Sequence, residues 1–270
     1  MTIQRTLLAA ALAACASLAH AHLPWIMPTS GIVEAKDAWV TIDGAVTDNY
    51  FDIDHQALKL DGTTITDPDG AGVALPPVLT GRMRSSFDLK LAKNGTYKVA
   101  LVTRNVVASY RQGGEAKRWR GAEEALAANV PAGAEELRTL FQHARLETFV
   151  TANKASSGAL KASGAGLEMV PVTHPNDLRA GEQATLRFVL DGKPLANFAF
   201  SLIPGGVRYR GVLGEVRLTT DANGQATFTL PAPGMVALVA SYPAAPVKPG
   251  EGPAVQRRYS YGATLEILPQ

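Results

Sequence analysis

The sequence is divided into short runs of alternating apolar and polar residues, separated by Asp-Gly and Asn-Gly pairs. Such runs predict half-buried β-strands, because successive side chains of a strand point to opposite faces. Asp-Gly and Asn-Gly pairs favour tight turns between strands. The 25 glycines and 17 prolines also favour turns over long helices. The pattern therefore predicts an all-β protein.

In the first half, a predicted strand ends at the turn Asp43-Gly44. Asp61-Gly62 lies between two alternating runs and predicts a hairpin, and Asn94-Gly95 predicts a second turn of this kind. Short strands at this spacing are typical of an immunoglobulin-like β-sandwich. The predicted strands are 39–42, 57–60, 63–66, 86–91 and 96–102.

Residues 112–144 depart from this pattern. The segments 123–126 and 135–141 are rich in helix-favouring residues, and Pro131 separates them. We expect a short helical insert here that carries the basic run 117–120. We also expect His143 to close a helical segment, where a cation interacts favourably with the helix dipole.

Residues 153–166 are rich in Ala, Ser, Gly and Lys and predict a linker. Further alternating runs follow it and predict a second sandwich at 167–270. We also expect Arg257 and Arg258 to lie on an edge strand, where charge opposes edge-to-edge pairing. The predicted fold is all-β, with two immunoglobulin-like β-sandwich domains, 22–152 and 167–270, and a short helical insert in the first.

The charge balance and the cysteine count exclude several classes of function. The 26 basic and 24 acidic residues give a net charge of +2, which lacks the basic surplus of a nucleic-acid-binding protein. The single cysteine, Cys15, allows no disulfide within the chain and no cysteine-based zinc cluster. No apolar run of the mature chain is long enough to cross a membrane as a helix. We therefore expect no nucleic-acid partner and no transmembrane segment.

The first 21 residues have the features of a secretory signal peptide. Arg5 supplies the positive charge, 6–18 is short and apolar, and Ala19-His20-Ala21 is a small-x-small cleavage signal. Cleavage after Ala21 would place the protein in the periplasm with His22 as its first residue.

Two other ways of processing this leader stay open. Ser17-Leu18-Ala19 also has the required small residues, and cleavage after Ala19 would expose His20 as the first residue. The segment 12–15 resembles a lipoprotein box, which would make Cys15 an acylated N-terminus.

Several segments together resemble one bacterial family. They are 22–25, 172–177, 204–210 and the tail 257–270. The family they resemble consists of periplasmic proteins of unassigned function, commonly labelled a periplasmic component of cobalt/nickel ABC-type transport. The resemblance covers nearly the whole mature chain. It implies partners among metal-transport or metal-homeostasis proteins.

A histidine at the mature N-terminus is a chelating group. If the chain begins at His22, its α-amine and its imidazole Nδ1 can close a six-membered ring on a metal, and a second imidazole would complete a histidine brace. Nitrogen ligands suit Cu(II) and Ni(II). If the chain begins at His20, the amine, two amides and the imidazole of His22 can enclose the same metals. Lipidation at Cys15 would leave no such site.

Three residues are candidates for the further ligands. His55 is the first of them and follows an acidic, aromatic segment. Asp52 and Asp54 would share one face of an extended segment, and Asp54 would orient an imidazole or bind the metal directly. His174 begins the second domain, where we expect an inter-domain hydrogen bond or a ligand. The predicted metal site therefore comprises His22, His55, Asp54 and His174, with nickel, cobalt or copper as the metal.

The predicted function is periplasmic binding of this metal and its delivery to uptake or homeostasis machinery. One alternative is a copper-dependent oxidative enzyme of the histidine-brace type, in which Tyr50 or Phe51 would lie near the metal axis. Another is a metal-free immunoglobulin-like binding or structural module. The sequence contains no HExxH, no phosphate-binding glycine loop and no nucleophile elbow.

Overall fold

The structure is a computed structural model that describes residues 22–230, 232–244 and 252–270. The predicted signal peptide, with Cys15 and both cleavage positions, lies outside the described residues. Within the described ranges, every helix is too short or too polar to cross a bilayer.

The N-terminal sheet has five strands in the described part of the chain, in the order β1-β3-β8-β7, with β4 also paired to β3. Its inward side chains alternate along the strands, as Val40 and Ile42 of β3 show. The strands are β1 (Leu23–Pro28), β3 (Trp39–Thr47), β4 (Gln56–Ala57), β7 (Leu79–Thr80) and β8 (Ser85–Lys90).

The central sheet has ten strands among the described residues, and its main path is β16-β15-β18-β19-β11-β9-β5-β6. The strand β10 pairs with β9, and β2 pairs with β11. The strands are β2 (Ile32–Val33), β5 (Thr63–Thr66), β6 (Gly72–Val73), β9 (Gly95–Gln112), β10 (Glu115–Ala122), β11 (Glu135–Ala152), β15 (Ala199–Pro204), β16 (Val216–Thr219), β18 (Gly234–Tyr242) and β19 (Val255–Ile267).

The C-terminal sheet has four strands within the described ranges. They are β12 (Leu167–Pro171), β13 (Gln183–Leu190), β14 (Lys193–Pro194) and β17 (Gln225–Thr229). Their apolar side chains pack on β15, β18 and β19 around Phe188, which is fully buried. Phe188 contacts Phe198, Phe200 and Tyr261.

The N-terminal and C-terminal sheets cover opposite faces of the central sheet. Phe149 of β11 belongs to the core that contains Phe188, whereas its neighbour Val150 belongs to the core that contains Ile42 and Phe87. Adjacent residues of a strand point to opposite faces. The protein is therefore all-β, with two sandwiches that share one sheet.

The two halves of the chain meet in that sheet through a parallel pair of strands. β11 of the first half pairs with β19 of the second half from Thr139↔Val255 to Thr148↔Thr264. The predicted linker 153–166 contains a 3-10 turn, Gly158–Leu160, with Ala159 buried. In that segment Ser156 accepts a hydrogen bond from the backbone N–H of Thr96 at 2.9 Å.

Three predicted turns do not end a strand or form a hairpin as predicted. β3 continues through Asp43-Gly44, and a Cβ at Gly44 would lie 2.8 Å from Leu60 Cδ2, so this glycine makes room for a core side chain. The predicted hairpin across Asp61-Gly62 is wrong, because β4 pairs with β3 whereas β5 pairs with β9. Asn94-Gly95 likewise connects two different sheets.

The predicted helical insert is much shorter than 112–144. Helix occurs only at Glu123–Ala125 and Leu126–Asn129 within this segment, and the remainder forms β10 and much of β9 and β11. The segment 135–141 is strand because β11 pairs with β9 and β19, and such pairing outweighs weak helix propensity. The basic run 117–120 therefore lies on β10, and His143 lies within β11 and not at a helix end.

Arg257 and Arg258 do not lie on an edge strand. β19 is an interior strand, with β18 on one side and β11 on the other. The Arg257 guanidinium lies 4.9 Å from the centre of the Phe141 ring, on the face of the sheet opposite to Arg258.

Candidate metal centre

His22 immediately precedes β1 and His55 immediately precedes β4, and both residues lie at the same end of β3. β1 and β4 both pair antiparallel with β3, and Ala45 of β3 is the partner of both Trp25 and Ala57. The two strands therefore lie on opposite edges of β3. Each runs antiparallel to β3, so the residue that precedes each of them lies near the C-terminal end of β3.

The two imidazoles are in face-to-face contact across this end. Their ring centres are 3.8 Å apart and their planes differ by 16°. Nε2 of His22 lies 3.8 Å from Oδ1 of Asp48, and these two side chains are 45% and 53% exposed. The pair is therefore accessible to solvent, and a carboxylate lies beside it.

The loop between β3 and β4 is compact, which corrects the expectation that Asp52 and Asp54 share one face. The backbone N–H of Asp48 donates to Oδ1 of Asp54 at 3.1 Å. Phe51 has a φ of 69°, which turns the chain back. Asp52 lies instead 4.0 Å from the Arg208 guanidinium. Asp54 thus holds the loop that carries His55.

Buried aromatic residues fix this end of the sheet. Trp25 is 2% exposed, and its indole N–H donates to Thr47 Oγ1 at 3.0 Å. The Phe51 ring meets it edge-on with 5.7 Å between ring centres. Burial raises the pKa of Tyr50 to about 12, so its phenol is neutral near pH 7. The Tyr50 and Phe51 rings contact each other and Trp25, and neither stacks on the His22 or His55 ring.

Few described side chains near His22 and His55 could bind a metal ion. Among the described residues, no three His, Cys, Asp or Glu side chains lie close enough together to hold a metal ion. His22 and His55 supply two imidazoles, and a chain that begins at His22 adds an α-amine as the third nitrogen. In the stacked arrangement the ring nitrogens do not converge on one point, so the half-exposed His22 ring would have to turn before both imidazoles could hold one ion.

The structure does not bring His174 to this pair. Its Nδ1 accepts the backbone N–H of Asn176 at 3.2 Å. Its Nε2 lies 3.0 Å from Thr96 Oγ1 and 3.2 Å from the carbonyl oxygen of Ser156. Both ring nitrogens therefore hold the junction between the two halves.

His143 also has a partner elsewhere, since its Nε2 lies 2.8 Å from Glu123 Oε2. The acidic neighbour of the histidine pair, Asp48, is absent from the predicted ligands. Only the strand register, in which Leu23 is opposite Thr47, places Asp48 next to His22. No local sequence motif carries that register.

Comparison with solved structures finds remote likenesses. The D0-D1 domain of intimin is 13% identical, with 91% of this chain and 100% of that chain covered and a TM-score of 0.25. A DUF4785 family protein from Legionella pneumophila is 9% identical, with 80% and 50% covered and a TM-score of 0.24. Elastase-activated α-2-macroglobulin of Escherichia coli is 14% identical, with 93% and 20% covered and a TM-score of 0.22. Scores this low carry no argument about function.

The search of curated proteins finds no match to this chain. A protein family does match, over residues 19–244, and its description is a domain of unknown function, DUF4198. The match spans well over half of the chain and includes both candidate histidines. The chain therefore belongs to the DUF4198 family.

Proposed function

We propose that this protein binds a divalent transition metal, nickel, cobalt or copper, at the N-terminus of its exported form. It would carry this ion as cargo to metal-transport or metal-homeostasis proteins of the periplasm. The observation that supports the proposal is the contact between the His22 and His55 rings, 3.8 Å apart at the mature N-terminus expected from the leader.

The position of Asp48 favours one nitrogen of His22 for the metal. Nε2 faces the Asp48 carboxylate, which leaves Nδ1 available. Nδ1 is the ring atom that closes a six-membered chelate with the α-amine of the same residue. At 3.8 Å the Asp48 carboxylate is beyond hydrogen-bond distance; on closing to Nε2 it would orient a ligating imidazole and increase its basicity. His55 would then supply the third nitrogen.

Delivery requires that the ion can leave as well as bind. His22 and Asp48 are about half-exposed, so a partner's ligands can approach the ion directly. An α-amine has a pKa of about 7.7–8.0, so losing its proton to bind metal costs little near neutral pH. Nitrogen donors of this kind favour copper over nickel and nickel over cobalt.

Calorimetric titration of the protein that begins at His22 tests the proposal. His55→Ala should weaken Cu(II) and Ni(II) binding by at least about tenfold, because one of three nitrogens is lost. His143→Ala is the matched control, since that ring is held by Glu123 in β11. Equal affinity in both variants and the parent protein would remove His55 from the site.

The intact mass of protein taken from the periplasm tests the starting residue. A mass that corresponds to residues 22–270 supports the chelate at His22. A chain that begins with acylated Cys15 would contradict the proposal, because His22 would then have no free amine.

A further inference from the structure

A second surface lies on one end of the central sheet, which we call the arm. The arm consists of the C-terminal part of β9, the whole of β10, the N-terminal part of β11 and the start of β19. One face of this arm is covered. Ala108 and Tyr110 of β9 are buried there against Val130 and partly buried Trp119 and Leu126. The adjacent residues of each strand point to the other face. Among the described residues, no hydrophobic core packs on that face of the arm.

Five arginines share that open face. In the register, Arg118 is opposite Ser109, which is opposite Arg138. One row further along this face, Arg120 is opposite Val107. One row beyond that pair, Gln142 is opposite both Asn105 and Arg258. We call this set the arginine face, and its members are Arg111, Arg118, Arg120, Arg138 and Arg258.

The arginine face has no acidic partner among the described residues. None of its guanidinium groups forms an ion pair there, and Arg118, Arg120 and Arg258 form no hydrogen bond there either. Arg111 and Arg138 donate only to backbone carbonyls, at 2.7 and 3.0 Å. Glu135 is opposite Arg111 in the strand register, but the two side chains form no ion pair. The positive charge of these guanidinium groups is therefore not neutralised by a described acidic side chain.

The same face continues into a cleft of about 530 Å³. Ala144 and Ser260 line the cleft one row beyond Gln142 and Arg258. Its other lining residues on this face are mostly small or carry hydroxyls, among them Ser201, Ser241 and Gly262.

Two details make this cleft a built feature. A Cβ at Gly262 would lie 2.8 Å from Leu146 Cδ2, so the absence of a side chain at Gly262 leaves room for Leu146 at the base of the cleft. Tyr50 lines the cleft and is only 8% exposed, and its hydroxyl has no hydrogen-bond partner among the described residues. The hydroxyl is not among the fully buried atoms that lack a partner, which in the described residues are Thr63 Oγ1 and Arg187 Nε, so solvent reaches it and it is available to a ligand in the cleft.

We propose that the arginine face and the cleft together bind an acidic polysaccharide, a chain of sugars that carry carboxylates. Guanidinium groups match carboxylates in bidentate geometry. Arginines two residues apart on one strand are about 7 Å apart at the backbone, so successive side chains can follow an extended polyanion. The Tyr50, Ser241 and Ser260 hydroxyls of the cleft suit sugar hydroxyls. The Ser201 hydroxyl donates instead to Glu215 Oε1 at 2.7 Å, and Arg217 pairs with that carboxylate at 2.9 Å.

The face is less suited to two other polyanions. Readers of single-stranded nucleic acid stack bases on exposed aromatic rings, and this face of the arm carries no aromatic residue in its described rows. Insertion into a membrane surface needs apolar side chains that protrude, whereas Val107 and Leu140 are half-buried between the arginines, which leaves only electrostatic attraction to anionic lipids.

The test is binding of an oligogalacturonate to the mature protein in EDTA, measured by calorimetry at low salt. Arg118→Ala/Arg120→Ala should weaken binding about tenfold, the result of losing two exposed charge contacts. The control Arg104→Ala/Lys117→Ala removes the same charge from the opposite face of the arm and should change affinity less than about twofold. Both doubles should melt with the parent protein, since all four side chains are exposed.

Any of three results would overturn the proposal. They are no binding of the oligogalacturonate, equal weakening by the two double variants, and tighter binding to phosphatidylglycerol vesicles than to the oligosaccharide. His55→Ala should leave this binding unchanged, which keeps the test separate from that of the metal site.

Discussion

The buried hydroxyl of Tyr261 gives a direct test of how the two halves are joined. Tyr261 is 2% exposed, and its hydroxyl donates to Glu147 Oε2 at 2.7 Å. The Arg145 guanidinium lies 3.1 Å from the other oxygen of Glu147 and 3.7 Å from Glu168. Burial, together with Glu147, raises the pKa of Tyr261 well above its ordinary value, so the phenol remains a donor. This network bridges β11 and β19.

Tyr261→Phe keeps the ring in the core and removes only the donor. The Glu147 carboxylate then loses one charge-assisted hydrogen bond in a site that water does not reach. Such a bond contributes about 1.5–3 kcal/mol. For a chain of this size, the melting temperature should fall by about 3–12 °C.

Urea unfolding of the two proteins measures the difference. Tyr209→Phe is the matched control, because Tyr209 is 87% exposed, and its free energy of unfolding should change by less than about 0.5 kcal/mol. If Tyr261→Phe is as mild as Tyr209→Phe, the network does not stabilise the strand pair that joins the two halves.

Three further results are expected. The hydrogen bond from Lys93, above all, lowers the pKa of Asp67. Its stabilising effect is therefore present above the unfolded pKa of about 3.9 and is lost as pH falls through the lower folded value. In urea unfolding, the stability advantage over Asp67→Asn should hold from about pH 7 to about pH 5 and shrink as pH falls further to about pH 2, and a constant difference over this whole range would contradict this. Gly44→Ala should lower the free energy of unfolding by about 1–3 kcal/mol, because its Cβ would meet Leu60. Gly133→Ala, on a turn with nothing within 4 Å of the added Cβ and no positive φ, controls for the added methyl group. Titrations with the three metals should rank the affinities copper, nickel, cobalt, and an inverted order would contradict nitrogen-only ligation.

The sequence predicts the strands well because alternation of burial is a local property. It does not predict which strands pair. β4 and β5 flank Asp61-Gly62 as a hairpin would, yet they join different sheets. The pairing of β11 with β19 connects residues more than 100 positions apart, and no local pattern encodes it. The segment 135–141 shows the same effect, since strand pairing overrides its helix-favouring residues.

For the candidate site, the chemistry of an N-terminal histidine was accessible from the sequence, and the contact of His22 with His55 required the fold. Asp48 was missed because only the β1–β3 register places it beside His22. His174 was a candidate by residue type, but its ring nitrogens bond to Thr96, Ser156 and Asn176. Metal binding at the pair stays a prediction.

The proposed metal site depends above all on the α-amine of His22 as a donor. The most direct measurement is Cu(II) titration of the protein that begins at His22, beside the same protein acetylated at its α-amine, which keeps both imidazoles. Acetylation should weaken binding by about 100-fold, because one nitrogen and the chelate ring are lost together. Equal affinity of the two proteins would contradict it.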